Sequence, residues 1–215
     1  MHKLWWQLVS FGFRLLYNEM AFTYDAVSYF VSMGSWRCWQ RAALQFLPQE
    51  KDSLVLELAH GTGNLQLDFH AAGYTAIGYD LSAAMGRITK RKLQKNNVPV
   101  RLTRGMAQQL PFADASFGAI ISTFPTDFII APSTLSEIHR LLKPDGALII
   151  VFSGTFTGSG LFKNFLEWLY RITGQRNDTP QGIPPNFKMS GFKAHLEQID
   201  CSHSVSQILV AYPIK

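Results

Sequence analysis

An apolar run at residues 53–58 (SLVLEL) carries Glu57 and leads into the turn Gly61-Thr62-Gly63. A second apolar run at 75–79 ends at Asp80. In an open parallel sheet, ligands bind outside the carboxyl ends of the strands, near the point where strand order reverses. Gly61 and Gly63 would let a ligand approach the backbone there. A carboxylate at Asp80 can accept hydrogen bonds from both hydroxyls of a ribose. The pattern points to a nucleoside-bearing ligand. A dinucleotide fingerprint would need glycine where the chain has Gln66, and a phosphate-binding loop would need Gly-Lys-Ser/Thr, which is absent.

The elements that would position these residues alternate regularly. Strands are expected at 53–58, 75–79, 100–104, 117–122 and 147–152, with helices from 64 to about 72, from Ser82 onward and from Thr134 onward. Thr134 with Glu137 reads as a capping box. Lys143-Pro144-Asp145-Gly146 stops that helix. Strands alternating with helices imply parallel βαβ units, hence an α/β, doubly wound, Rossmann-like sheet. Residues 192–200 and 204–212 read as an antiparallel hairpin that brings the strands to seven. Residues 161–172 read as an amphipathic helix, and 179–191 as a loop rich in Pro and Gly. Residues 1–47 read as a helical N-terminal cap and 48–215 as the ligand-binding domain.

Further motifs fall in order along the chain. Glu57-Leu58-Ala59-His60-Gly61-Thr62-Gly63, Gly78-Tyr79-Asp80-Leu81-Ser82, Gln109-Leu110-Pro111-Phe112 and Leu141-Leu142-Lys143-Pro144 together resemble class I S-adenosylmethionine-dependent methyltransferases. The upstream segment Ala21-Phe22-Thr23-Tyr24-Asp25, followed by Trp36-Arg37, resembles the ubiquinone/menaquinone C-methyltransferase group, where this part covers the cofactor. The resemblance implies S-adenosylmethionine as cofactor and S-adenosylhomocysteine as product. It implies that Glu57 faces the amino-acid end of the cofactor and that Gly61 and Gly63 line its methionine part. Asp80 would bind the ribose, Leu81 and Met85 would flank the adenine, and Ala107 would offer it backbone. Thr123 and Phe124 would meet the methionyl end or the acceptor, and Tyr24 would lie in the cover. The chain departs from the pattern at Ala59, where the first motif glycine is expected, at His60, which replaces a small residue, and at Met106. An aspartate commonly meets the adenine amino group at the last position. Losing that hydrogen bond, worth roughly 1–1.5 kcal/mol, would weaken binding about tenfold.

A sulfonium methyl is already electrophilic, so the protein's task is to align a nucleophile and exclude water. A protonated acceptor would also need a base. Tyr24, His60 and Asp127 are the candidates. The plainer roles are packing under the loop for His60 and capping a turn for Asp127. His139, His195 and His203 read as surface residues, and no His/Cys/Asp spacing suggests a metal site. Residues 122–126 (STFPT) lack the motifs of adenine-N6 or cytosine-C5 methylation. The basic helix after Ser82 has no interleaved aromatics, so nucleic acid is not expected as a partner. An aromatic-rich head favours a small hydrophobic acceptor, such as a quinone precursor, polyketide, terpenoid or lipid. A non-catalytic cofactor-binding module and, further off, a nucleic-acid methyltransferase are the rival readings.

The chain has 215 residues, enough for one domain with a full core. Charged residues are 16%, against roughly 25% in an average soluble domain. The net charge of +5 permits anionic partners. Residues 4–16 are mostly apolar, too few to span a bilayer. As a helix they fit either a membrane surface, bound through residues 1–16, or a lid over the core. The expected location is cytoplasmic, with a peripheral membrane contact. The two cysteines, Cys38 and Cys201, read as inert thiols in a reducing compartment.

Overall fold

The computed structural model describes residues 2–157, 168 and 182–214. A helical head comprises α1 (His2–Tyr17), α2 (Tyr24–Val31) and α3 (Trp36–Ala42). Strands β1 (Val55–Leu58), β2 (Ala76–Asp80), β3 (Leu102–Arg104), β4 (Phe117–Thr123) and β5 (Leu142–Phe156) follow, with α4 (Asn64–Ala71), α5 (Ala83–Lys95) and α6 (Pro132–Leu141) between them. After α7 (Pro185–Met189) come β6 (Phe192–Cys201) and β7 (Ser204–Pro213). The strands form one seven-stranded sheet in the order β3-β2-β1-β4-β5-β7-β6. The first five run parallel, and β7 pairs antiparallel with both β5 and β6. This is the expected doubly wound Rossmann-like sheet with a closing hairpin.

The sheet is covered on both faces, so every residue of β1 and β4 is buried, Glu57, Ser122 and Thr123 among them. Leu56, Leu58, Ile120, Leu148 and Ile150 pack on one face, toward α6 and Phe187. Val55, Ala119, Ile121, Ile149 and Val151 pack on the other, with Leu65 and Phe69 of α4. Alternate residues of each strand therefore serve separate cores. Strand order reverses between β1 and β4, and this opens the crevice at their carboxyl ends.

Three expectations change. Helix α6 begins at Pro132 rather than at Thr134, because proline suits the first helical position. The capping box is therefore absent: Thr134 Oγ1 is buried without a hydrogen-bond partner, and the Glu137 carboxylate instead accepts the Leu110 N–H and pairs with Arg140. The expected loop at 179–191 contains α7, again opened by a proline. The helix expected at 161–172 lies outside the described residues, apart from Trp168.

The third correction concerns the cysteines. Cys38 on α3 and Cys201 at the end of β6 form a disulfide across a sequence separation of 163 residues. The thiols are not free, so the argument for a reducing compartment loses its basis. The bond fastens α3 to the closing hairpin. There Trp39 Nε1 donates to Ser204 Oγ at 2.9 Å, and a side chain at Gly154 would collide with the Trp39 ring. Closing so long a loop restricts the unfolded chain strongly. Replacing both cysteines with serine is expected to lower stability by about 3–5 kcal/mol. Urea denaturation of the oxidised and variant proteins checks this, and equal midpoints would mean the bond adds nothing.

Candidate functional site at the switch point

The site is built around Asp80 at the end of β2. Its Oδ2 accepts the Gly61 N–H at 3.0 Å and its Oδ1 accepts the Ser82 N–H at 2.8 Å. Ser82 caps α5 by accepting the Met85 N–H, and its hydroxyl donates to the Tyr17 carbonyl at 2.8 Å. One carboxylate thus joins the glycine turn, the start of α5 and the end of α1. A carboxylate offers about four acceptor positions, so two remain for a ligand.

The turn itself runs through left-handed backbone at Ala59 (φ 57°), Gly61 (φ 55°) and Gly63 (φ 75°). A Cβ at Gly63 would collide with Thr89, so the residue must be small as well as left-handed. A Cβ at Gly61 would meet nothing within 4 Å, so this face of the turn is open. His60 is buried beneath the turn. Its Nδ1 lies 3.0 Å from the Gly61 carbonyl and 3.2 Å from Thr89 Oγ1, and its ring backs onto Gly78. Burial holds its pKa below the usual imidazole value, against the pull of Asp80.

Glu57 is buried and accepts from Gln66 Nε2 at 2.6 Å. Desolvation pushes its pKa up to about 8. The Gln66 bond and Arg37 oppose the rise, while Asp80 and Asp68 reinforce it. Gln66, which breaks the dinucleotide fingerprint, is thus the partner of the buried carboxyl.

The head closes over the turn. The Asp25 carboxylate accepts from Thr62 Oγ1 at 2.6 Å and Asn64 Nδ2 at 2.9 Å, and pairs with Lys92 Nζ at 2.8 Å. Burial alone would raise its pKa, but the bonds from Lys92 and Thr62 outweigh this and hold it below the usual value. Helix α3 brings Arg37 and Arg41 to Asp68 of α4, and Gln40 to Thr123 Oγ1 at 3.3 Å. Gln40, Arg41 and Asp68 belong to no motif in the sequence, and the Arg37/Arg41 spacing of one helical turn is the signal that points to them.

At the end of β4, Phe124 adopts φ 51° while its N–H donates to the Val151 carbonyl at 2.7 Å. Its ring stacks on Trp36 at 4.0 Å. Trp36 meets Tyr24, Tyr24 meets Tyr17 and Tyr17 meets Phe13, with centroids 5.8–6.2 Å apart. Burial raises the Tyr24 phenol well above its usual pKa, and Tyr17, Asp25 and Asp80 add to this. Leu81 and Met106 stand exposed, Ala107 is buried, and Met85 is packed inside α5's buried face. Asp127 is exposed at the start of the short helical turn Asp127–Ile130.

Residues 55–146 match the family described as Methyltransferase domain. This stretch of the chain is a methyltransferase domain. The chain is 32% identical over 157 residues to a demethylmenaquinone methyltransferase of Streptomyces avermitilis, covering 73% of this chain and 66% of that protein. It is 31% identical over 139 residues to the Thermus thermophilus demethylmenaquinone methyltransferase, covering 63% of each. The chain spans less than two thirds of the length of these curated relatives. Geranyl diphosphate C-methyltransferase from Streptomyces coelicolor, solved with Mg2+, geranyl diphosphate and S-adenosyl-L-homocysteine, superimposes with a TM-score of 0.60. Identity is 15%, over 83% of this chain and 79% of that one, a likeness of fold alone. In the methyltransferase domain, the glycine turn and Asp80 lie side by side at the carboxyl ends of β1 and β2, joined by the Gly61 N–H.

Two outcomes follow for this domain. Ala59→Gly is expected to raise stability by up to about 1 kcal/mol, since a left-handed alanine is strained by roughly that amount. Thermal unfolding measures it, and a loss of stability would mean the Ala59 methyl packs usefully. Glu57 keeps a proton when folded that it releases when unfolded, so stability falls as pH rises from about 5 to 8. Glu57→Gln is expected to remove a decline on the order of 3 kcal/mol over that window. Denaturation at several pH values compares the two, and parallel curves would show Glu57 ionised in the fold.

Proposed function

We propose that the chain is an S-adenosylmethionine-dependent methyltransferase acting on a small hydrophobic acceptor of the quinone-precursor kind. The observation that carries this is the Asp80 carboxylate, held by two backbone N–H groups beside the open face of Gly61. Its remaining acceptor positions suit the two ribose hydroxyls. Leu81 and Met106, apolar and exposed, suit the two faces of an adenine ring. Glu57 and Gln66 offer a polar end to the crevice for an amino-acid group. S-Adenosylmethionine supplies a methyl group on sulfur, which passes in line to the acceptor nucleophile and leaves S-adenosylhomocysteine.

The protein's own part is positioning. Trp36 and Phe124 offer a flat aromatic wall for the acceptor at the end of β4. Tyr24, kept as a neutral phenol, extends that wall and can donate a hydrogen bond. His60 holds the turn from below through the Gly61 carbonyl. Asp127 keeps an exposed carboxylate beyond β4, suited to take the proton of a protonated acceptor. The head excludes water through the Asp25 clamp. The acceptor class is supported by the aromatic wall and by the names of the relatives.

Calorimetric titration with S-adenosylhomocysteine tests the cofactor. Asp80→Ala removes two hydrogen bonds and the tie to Gly61, so its Kd is expected to rise about 30- to 100-fold. Unchanged affinity would remove Asp80 from the site, and no binding by the native chain would sink the reading. Methyl-labelled cofactor with cell extract then tests the acceptor. Label is expected in the organic phase, and label confined to water would exclude a hydrophobic acceptor.

A further inference from the structure

Half of the large apolar side chains that are exposed among the described residues lie in the first 33 positions. Trp5, Leu8 and Phe11 form a stripe along α1. Phe22, Tyr29 and Phe30, on and beside α2, are 77%, 61% and 73% exposed. An apolar surface of this kind marks a contact site. Helix α5 lies directly against it, through Ser82 to the Tyr17 carbonyl and Lys92 to Asp25. This helix carries Arg87, Lys90, Arg91, Lys92 and Lys95 and no acidic residue. Its charge equals the whole chain's net charge of +5, so the remainder is balanced. Arg87, Lys90, Arg91 and Lys95 are exposed and make no ion pair among the described residues.

We propose that α1, the turn Ala21–Thr23 and α2 seat on the surface of an anionic lipid bilayer, with the cations of α5 against the headgroups. The proposal rests on the hydrophobic acceptor argued above. Aromatic rings favour the headgroup level, and neighbouring lysines and arginines add attraction to acidic lipid. Among the described residues no helix is long and apolar enough to cross a membrane, so the contact is peripheral. A second copy is a poorer occupant, because a two-fold contact through this face would bring two strongly cationic helices together. The same face continues inward. Phe13, Tyr17, Tyr24, Trp36 and Phe124 touch in series, so an apolar acceptor leaving the bilayer meets aromatic rings as far as the end of β4.

The test is co-sedimentation of the full chain with vesicles of phosphatidylcholine, alone or mixed with phosphatidylglycerol. The native chain is expected to bind the mixed vesicles, to bind neutral ones at least tenfold more weakly, and to be released by salt. Phe22→Asp with Phe30→Asp is expected to abolish binding to both. Lys90→Glu with Arg91→Glu is expected to weaken binding to mixed vesicles about twentyfold or more. Circular dichroism and S-adenosylhomocysteine affinity should match the native chain in both variants. No vesicle binding, equal binding to both lipids, or binding unchanged by either variant overturns the proposal. So does a native dimer that the same substitutions dissolve, which would assign the face to a second copy. If S-adenosylhomocysteine fails to bind while vesicles are held, the cofactor reading falls and the docking surface stands.

Discussion

The structure depends on one carboxylate accepting two backbone N–H groups. Asp80 holds Gly61 and Ser82 at the same time, and those residues belong to different βα units. Thr89 of α5 also bonds the Gly61 carbonyl, but only Asp80 ties the Gly61 N–H to the first turn of that helix. The charge-assisted bonds are stronger than neutral ones, and they use only half of the carboxylate's acceptor capacity. The same group can therefore organise the crevice and still meet a ligand. Ser82 passes the organisation on, since its hydroxyl reaches the carbonyl at the end of α1.

The helical head is fixed to this centre at three separate places. Asp25 grips the glycine turn and α5, Arg37 and Arg41 grip Asp68, and Cys38 is bonded to the far hairpin. The exposed pairs contribute little each, at most about 1 kcal/mol. Their value lies in geometry: each joins the head to a different element around the crevice. The head is thus a wall of the site, and its aromatic residues reach the end of β4 as part of that wall.

Much of this was legible in the residues. Mainly apolar runs at β1 and β4 announced a sheet buried on both faces, and the glycine turn plus Asp80 located the crevice. What stayed hidden depends on partners distant in sequence. No spacing rule links Cys38 to Cys201, and only the folded hairpin brings them together. Gln66 looked like a broken fingerprint because its partner, Glu57, lies across the turn. The Thr134 capping box failed for a local reason: Pro132 begins the helix earlier and leaves the hydroxyl inside it. A weak local signal gave way to a stronger one two residues away.

The two strand ends that flank the crevice share an unusual property. Ala59 after β1 and Phe124 after β4 are both non-glycine residues in left-handed backbone. Such a conformation survives only where the surroundings over-determine it. Here each residue donates its N–H to a neighbouring strand, Ala59 to the Tyr79 carbonyl and Phe124 to the Val151 carbonyl. The sheet therefore holds both bends, one on either side of the point where strand order reverses. The first bend aims the open glycine turn, and the second aims the ring that stacks on Trp36. A crevice whose two walls turn at rigid strand ends can present a cofactor and an acceptor in fixed alignment. In-line transfer requires that alignment more than it requires any proton-moving side chain.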